Sequence, residues 1–209
     1  MLTSLGSIAA QQVNPTNKTV QKLNQLLVFA ATYTDAVITY RTSEMVLTGH
    51  KNASYLYKTK SRIREGGKLF MPKITALPTN NGAVFTIYKI IKAVMSSAAE
   101  AELGALFINS KEAIPERQPL EEMGHRQPQT PTKTDNTTAH GVVTNNIASK
   151  RLKSMDTRIH WLRCRETHGK FCHYWRAGSN NLRDYFTKHH AEIHHQRVRP
   201  TYLTPKILL

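Results

Sequence analysis

The chain has 209 residues, 40% of them apolar and 21% charged, which is enough to build one packed domain and argues against global disorder. Lysine and arginine outnumber aspartate and glutamate by 29 to 14, giving a formal net charge of +15. The last 59 residues carry a large part of this excess, with 12 basic residues against four acids. Such a balance predicts a polyanionic partner, nucleic acid before a membrane surface.

Several classes of protein are excluded by simple features. No run of about 18 apolar residues is present, so no membrane span is expected. The first twelve residues lack a basic segment followed by an apolar one, so no secretory signal is predicted. Two cysteines do not make a disulfide framework. We therefore expect an intracellular location, either a cytoplasmic particle or the nucleus, and no secretion.

The first half of the chain is predicted to be a helix followed by strands. Apolar residues recur at helical spacing over residues 15–31. Residues 37–48 are rich in β-formers, and an Asn-Asn-Gly sequence at 80–82 is typical of a hairpin. Residues 45–91 are therefore expected to form three strands in antiparallel succession.

A long helix is predicted next, because Ser97 and Glu100 have the spacing of a capping box and leucines follow at helical intervals. Pro115 and Pro119 are expected to kink or end it, since proline lacks a donor and crowds the preceding turn. A short buried strand is predicted over 132–135, with Asn136 or Thr137 as the cap of another helix.

The strongest helical pattern of the chain spans residues 137–168 and ends at Gly169. A strand over 171–175 and a short helix beginning near 182 are predicted to follow, and then a mobile basic tail. The apolar seam of the 137–168 helix consists of Leu152, Met155, Ile159 and Leu162.

Three acids stand where this assignment places the ends of elements on a sheet: Glu102, Asp135 and Asp184. Carboxylates that converge from separate elements are what two Mg²⁺ ions need, because hard cations prefer oxygen ligands. Spacing does not establish convergence. Each acid also has an ordinary role, as a surface residue, a helix cap or a partner of a helix dipole.

An ordered run of motifs in the chain resembles the ribonuclease H domain of copia-type retrotransposon polyproteins. In those polyproteins this domain follows the reverse transcriptase. The likeness covers residues 45–188, about two thirds of the chain. Its motifs are ASYL at 53–56, GG at 66–67, SSAAEAELGAL at 96–106, TDNTTA at 134–139, KRLKSMDTRIHWLR at 150–163 and NLRDYFTK at 181–188.

The resemblance implies an α/β fold, a ribonuclease H-like mixed sheet flanked by helices, and cleavage of the RNA strand of an RNA–DNA hybrid. Four carboxylates of that family hold two Mg²⁺ ions. The second, third and fourth of them correspond to Glu102, Asp135 and Asp184. The resemblance also divides the chain into a reverse transcriptase remnant at 1–41, a ribonuclease H-like domain at 42–190 and a basic, histidine-rich tail at 191–209.

The first carboxylate position departs from the family pattern. The family's Ser-Asp-Ala-Ser-Tyr-Leu run begins here with Lys51 and Asn52, so asparagine stands at the aspartate position and a positive charge stands beside it. Asparagine is neutral, and its amide nitrogen is a donor that faces a cation badly. We therefore expect impaired hydrolysis and poor Mg²⁺ occupancy. The alternative is a noncatalytic nucleic-acid-binding remnant of the polyprotein.

Two further groups of residues have chemical interest. Cys164, His168, Cys172 and His173 are metal-ligand types, but their spacing is not that of a zinc finger and a zinc site is not favoured. Basic residues are expected to hold the phosphates of the nucleic acid without reading its sequence. The first choice comprises Arg151, Lys153 and Arg158, and the second comprises Lys58, Lys60, Arg62 and Arg64.

Overall fold

The computed structural model describes residues 2–34, 36–54, 63–73, 81–147, 155–177 and 191–205. Its helices and strands alternate as in an α/β protein. In chain order they are α1 (Leu2–Ala9), α2 (Asn17–Thr32), β1 (Ala36–Val37), β2 (Thr48–Ser54), β3 (Ile63–Phe70), β4 (Ala83–Ile91), α3 (Ala98–Glu122), β5 (Thr130–Thr134), α4 (Thr137–Val143), α5 (Asp156–Thr167), β6 (Phe171–Trp175), α6 (Glu192–Val198), a short 3₁₀ helix (Arg199–Thr201) and β7 (Thr204–Pro205).

The main sheet has five strands in the order β4-β3-β2-β5-β6. Strands β2, β3 and β4 are antiparallel neighbours, which confirms the predicted succession of three strands. Strands β2, β5 and β6 are parallel, so their carboxyl ends lie at one edge of the sheet. The mixed sheet with flanking helices confirms the expected fold class. Ligands of open α/β sheets bind outside the carboxyl ends of parallel strands, at the point where the strand order reverses. In this sheet that point lies between β2 and β5.

Helices α3, α4 and α5 cover one face of this sheet. Leu103 and Leu106 of α3 pack in one cluster with residues of β3, α4 and α5, and Met155, Ile159 and Leu162 belong to this cluster as the predicted seam requires. The opposite face meets the chain termini. There Ser7 of α1 accepts a hydrogen bond from Arg64 at 3.0 Å, and the ring of Tyr202 lies 5.2 Å from the ammonium of Lys68.

The capping predictions hold with one difference. Ser97 accepts from the backbone N–H of Glu100, and Asn136 accepts from that of Ala139, so both residues cap their helices. The Glu100 carboxylate reaches back to the N–H and hydroxyl of Ser96 rather than to Ser97. Gly169 follows α5 with φ of +66°, the left-handed conformation of a residue that ends a helix. No helix within the described ranges is long and apolar enough to cross a membrane.

The prediction that proline kinks or ends the long helix is wrong, because α3 runs through both Pro115 and Pro119. Both prolines lie on its exposed side, so the carbonyls that lose their donors face solvent. The buried side keeps its anchors. The guanidinium of Arg117 donates to the carbonyls of Gln127 and Pro128, which ties the last turns of α3 to the segment that enters β5.

Replacing Pro119 by alanine should raise the free energy of unfolding by up to about 3 kcal/mol, since it restores a hydrogen bond and relieves crowding in a helix interior. Urea denaturation of the two proteins measures this difference. Gln118→Ala, at an exposed neighbouring position, serves as a control and should change stability by about 0.5 kcal/mol or less. Equal stability of the Pro119→Ala variant and the parent would count against an α3 that continues past this residue.

The predicted 137–168 helix is not continuous. Helix α4 ends at Val143, and Asn145 adopts φ of +64°. The backbone N–H groups of Asn146 and Ile147 then both donate to the carbonyl of Gly141. These hydrogen bonds terminate α4, as is common where a left-handed residue follows a helix. Leu152, the first residue of the predicted seam, lies outside the described residues.

The chain termini differ most from the predictions. Of the β-rich 37–48 region, only Val37 and Thr48 lie in strands. Val37 and the preceding Ala36 form β1, which pairs with Thr204–Pro205 near the carboxyl end. The tail predicted to be mobile therefore contains α6 and returns to the N-terminal segment. The guanidinium of Arg199 lies 4.1 Å from the ring centroid of Tyr33, a cation–π contact that strengthens this closure.

Candidate functional site

The candidate site lies at the edge of the sheet where β2 and β5 end side by side. These strands pair in parallel at Gly49 with Thr132 and His50 with Lys133. Asn52 lies in β2 two residues beyond this pairing, and Asp135 directly follows β5. The first and third carboxylate positions of the resemblance therefore both lie toward the carboxyl ends of two paired parallel strands.

The Glu102 carboxylate is bound on both of its oxygens. One of them, Oε2, pairs with the ammonium of Lys51, and both side chains are buried, Lys51 with 0% and Glu102 with 8% of its side chain exposed. The same ammonium donates to the backbone carbonyl of Glu102 at 3.2 Å. The other oxygen, Oε1, accepts the backbone N–H of Ala53 at 3.0 Å. Helix α3 and strand β2 are therefore joined by a buried ion pair.

Strand β2 presents Lys51, rather than Asn52, to Glu102. Successive side chains of a strand point to opposite faces. Lys51 binds α3 through Glu102, and Ala53 packs against the α3 cluster, so both belong to the α3 face. Asn52 lies between Lys51 and Ala53 in the sequence, and its buried side chain belongs to the other face. The structure thus separates the side chain of Asn52 from Glu102.

His173 is a second buried polar residue on this side of the sheet. Its side chain stacks on Phe171 with 5.9 Å between ring centroids, and neither ring nitrogen has a hydrogen-bond partner among the described residues. Burial, and then the positive charges of Lys51 and His140, lower its pKa to about 3. The ring is therefore neutral at physiological pH, and Lys51 carries the positive charge of this region. From the sequence, His173 was expected only as a metal-ligand type and not as a buried, neutral ring.

The remaining predicted ligands are placed only in part. Asp135 follows the last residue of β5 and is half-buried, and its backbone carbonyl accepts from the indole N–H of Trp175 at 3.1 Å. Asp184 lies outside the described residues. Of the cysteine and histidine set, Cys164 and His168 contact each other at 3.5 Å across one turn, and both cysteines are exposed. No cluster of three or more metal-ligand side chains occurs within the described ranges.

The predicted phosphate contacts are mostly not described: Lys58, Lys60, Arg62, Arg151 and Lys153. Arg158 is described, and it lies half-buried in the first turn of α5. Arg64 does not fit a phosphate contact, because it is buried on the face of the sheet that α1 covers. Its guanidinium donates to the hydroxyls of Tyr88 at 2.6 Å and Ser7 at 3.0 Å. Strand alternation turned this residue inward, which the basic composition of the segment did not indicate.

A further buried acid lies between β3 and α3. Glu65 is fully buried, and its Oε1 accepts from the amide of Asn109 at 2.7 Å. Burial, opposed by the charge of Lys89 and reinforced by that of Glu112, raises the pKa of Glu65 to about 8. Glu65 Oε2 and Asn109 Oδ1 lack hydrogen-bond partners among the described residues. When Glu65 is protonated, its carboxyl group has an O–H donor, which two unpartnered acceptor oxygens by themselves lack.

No family model matches the chain, and no curated protein matches it. Among solved structures it is similar to ribonuclease H1 from Halobacterium salinarum, with 12% identity, a TM-score of 0.42 and coverage of 66% of this chain and 89% of the other. It is similar to the N-terminal ribonuclease H domain of a Mycobacterium tuberculosis protein, with 9% identity, a TM-score of 0.42 and coverage of 74% and 98%. It is also similar to the protease–reverse transcriptase of prototype foamy virus, with 12% identity, a TM-score of 0.37 and coverage of 78% and 22%. At these levels no activity is transferred to the chain.

Proposed function

We propose that this chain is a ribonuclease H-like domain derived from a copia-type retrotransposon polyprotein, and that it binds nucleic acid without efficient hydrolysis. The ordered motifs that end at the sheet edge support the origin, since SSAAEAELGAL opens α3 and TDNTTA joins β5 to α4. The noncatalytic alternative of the sequence analysis is favoured over an active ribonuclease. The observation that carries this choice is the buried pairing of Lys51 with Glu102 beside a neutral Asn52.

The described residues do not fit the two Mg²⁺ ions of the family. A divalent ion needs oxygen ligands with net negative charge. At this site Asn52 contributes no charge, and the charge of Glu102 is neutralised by Lys51. A metal ion near Glu102 would have to displace a buried ammonium and the N–H of Ala53 from its two oxygens. Asp135 is the remaining described acid of the family's set.

The proposed partner is an RNA–DNA hybrid, bound through phosphates. The net charge of +15 supplies the attraction, and the basic motif that contains Arg151, Lys153 and Arg158 is the proposed contact. Duplex shape and the ribose hydroxyls distinguish a hybrid from DNA without base readout. The reverse transcriptase portion of the same polyprotein is the proposed protein partner, since the motif order of the resemblance places it upstream.

Binding to a labelled hybrid, measured by fluorescence anisotropy at several salt concentrations, tests the proposal. The full chain should bind, and its affinity should fall steeply as the salt concentration rises. The slope of log affinity against log salt concentration should decrease by about one unit for each phosphate contact removed. Substituting Arg151, Lys153 and Arg158 together by glutamine should weaken binding and flatten that slope. Lys170→Gln, which removes one exposed positive charge just before β6, is the single-charge control and should have little effect.

Cleavage of the same hybrid in Mg²⁺ separates the two candidate functions. The parent chain should release no more product than its Asp135→Asn variant, which removes the remaining described acid. Cleavage by the parent that disappears in Asp135→Asn would establish an active ribonuclease and contradict the noncatalytic proposal. Binding that is weak and insensitive to salt would contradict the nucleic-acid proposal itself.

A further inference from the structure

The ammonium of Lys51 lies where a metal ion would have to lie to be held by Glu102. Building on the proposed function, we propose that Lys51 is the resident cation of this site: it takes the place of a divalent ion against Glu102 and makes the folded site independent of metal.

The contacts of the pair support this substitution. The ammonium is a compact point charge with three donors, and it uses them on both an oxygen of the Glu102 carboxylate and the backbone carbonyl of the same residue. The second carboxylate oxygen is held by the N–H of Ala53. Both oxygens of the Glu102 carboxylate are therefore bound by donors of β2.

The burial of both side chains makes the pairing obligatory. The Lys51 side chain is 0% exposed and that of Glu102 is 8% exposed, so each charge depends on the other for its stability. The charge of Lys51 also acts on Glu65, whose pKa burial raises to about 8, so the carboxylate that pairs with Lys51 is that of Glu102. His173, the other basic side chain whose electrostatic influence reaches Lys51, is buried and stacked on Phe171, and its ring carries no charge.

The direction of the side chains makes the inference specific to position 51. Lys51 and Ala53 share the α3 face, and Asn52 belongs to the opposite face. A carboxylate that shares an ion with Glu102 would therefore have to stand at 51. Aspartate is shorter than lysine, and Mg²⁺ lies about 2.1 Å beyond a carboxylate oxygen, so an aspartate with its ion fills the space that the longer lysine now fills.

The test compares two single substitutions by thermal unfolding of the full chain, with EDTA and with Mn²⁺ or Mg²⁺. Lys51→Asp places two carboxylates together and should unfold at a low temperature in EDTA. Saturating metal should raise its Tm by roughly 5–10 °C, the size expected at a hundredfold excess over Kd. The matched control, Asn52→Asp, introduces the same residue one position further along β2. Neither this variant nor the parent should show a metal-dependent rise in Tm.

Two outcomes would overturn the inference. One is a metal-dependent Tm in Asn52→Asp together with none in Lys51→Asp, which would mean that position 52 faces Glu102. The other is Mn²⁺ binding to the parent, detected by electron paramagnetic resonance, that is lost in Asp135→Asn. This second measurement decides the question even if Lys51→Asp fails to fold. Neither experiment contains nucleic acid, so failure here leaves the binding proposal to be judged by its own salt-dependence experiment.

Discussion

Replacing Lys51 by methionine should destabilise the chain by about 3–5 kcal/mol, because the change leaves the Glu102 carboxylate buried without a counter-charge. Methionine keeps the length and apolar stem of lysine, so the loss reports on the charge rather than on a cavity. Urea unfolding, monitored by circular dichroism, measures the difference.

A double-mutant cycle with Glu102→Gln assigns this effect to the pair. Glutamine retains an oxygen for the N–H of Ala53 and carries no charge. Because the double variant leaves no charge unpaired, it should be less destabilised than the sum of the two single changes. Lys89→Met provides the matched control. Its partner, Glu112, lies 2.8 Å away on an exposed surface, and such pairs contribute about 0–1 kcal/mol. Strict additivity in the Lys51–Glu102 cycle would mean that the two charges do not interact.

Replacing Glu65 by glutamine should stabilise the chain by about 3 kcal/mol at pH 7, since the pKa of the buried carboxyl is raised from 4.5 to about 8. Between those two values the folded state holds a proton that the unfolded state has released. The stability contributed by Glu65 is therefore fully present below about pH 4.5 and declines as pH rises toward 8. The amide of glutamine carries an N–H donor at every pH.

Chemical denaturation at several pH values between 5 and 8 measures this difference. The parent should lose stability across that interval relative to Glu65→Gln, and the gap between the two proteins should widen with pH. The groups that face Glu65 from neighbouring elements are Lys89 of β4, Glu112 of α3 and Lys51 of β2. Glu122→Gln, a matched change on an exposed residue of α3 whose charge is not among those that act on Glu65, should retain the pH dependence of the parent. Parallel curves for the parent and Glu65→Gln would show that Glu65 is ionised in the folded state.

Local signals in the sequence predicted much of the fold. The caps at Ser97 and Asn136 and the left-handed Gly169 were predictable because each depends on the backbone within a few residues. The antiparallel succession of β2, β3 and β4 was predictable as well, because alternation and turn residues are also local. The motif run placed Glu102 and Asp135 at element ends, and the structure places both beside the carboxyl edge of β2 and β5.

Other features depended on contacts between distant residues. Helix α3 passes through Pro115 and Pro119 because its opposite side is anchored by Arg117 to the segment before β5. The tail closes on β1 because residues more than 160 positions away supply its hydrogen bonds. Arg64 is buried because α1 covers its face of the sheet. No local pattern contains these partners.

The sequence by itself determined that the first carboxylate position is asparagine, since residue identity alone establishes the missing charge at Asn52. It also determined the positive excess from which a polyanionic partner is proposed. Only the tertiary structure decided which of two adjacent residues meets Glu102. The pleat of β2, set by its pairing with β3 and β5, turns Lys51 toward α3 and Asn52 away. A one-residue change of register would exchange the two side chains, and that register is a property of the whole sheet.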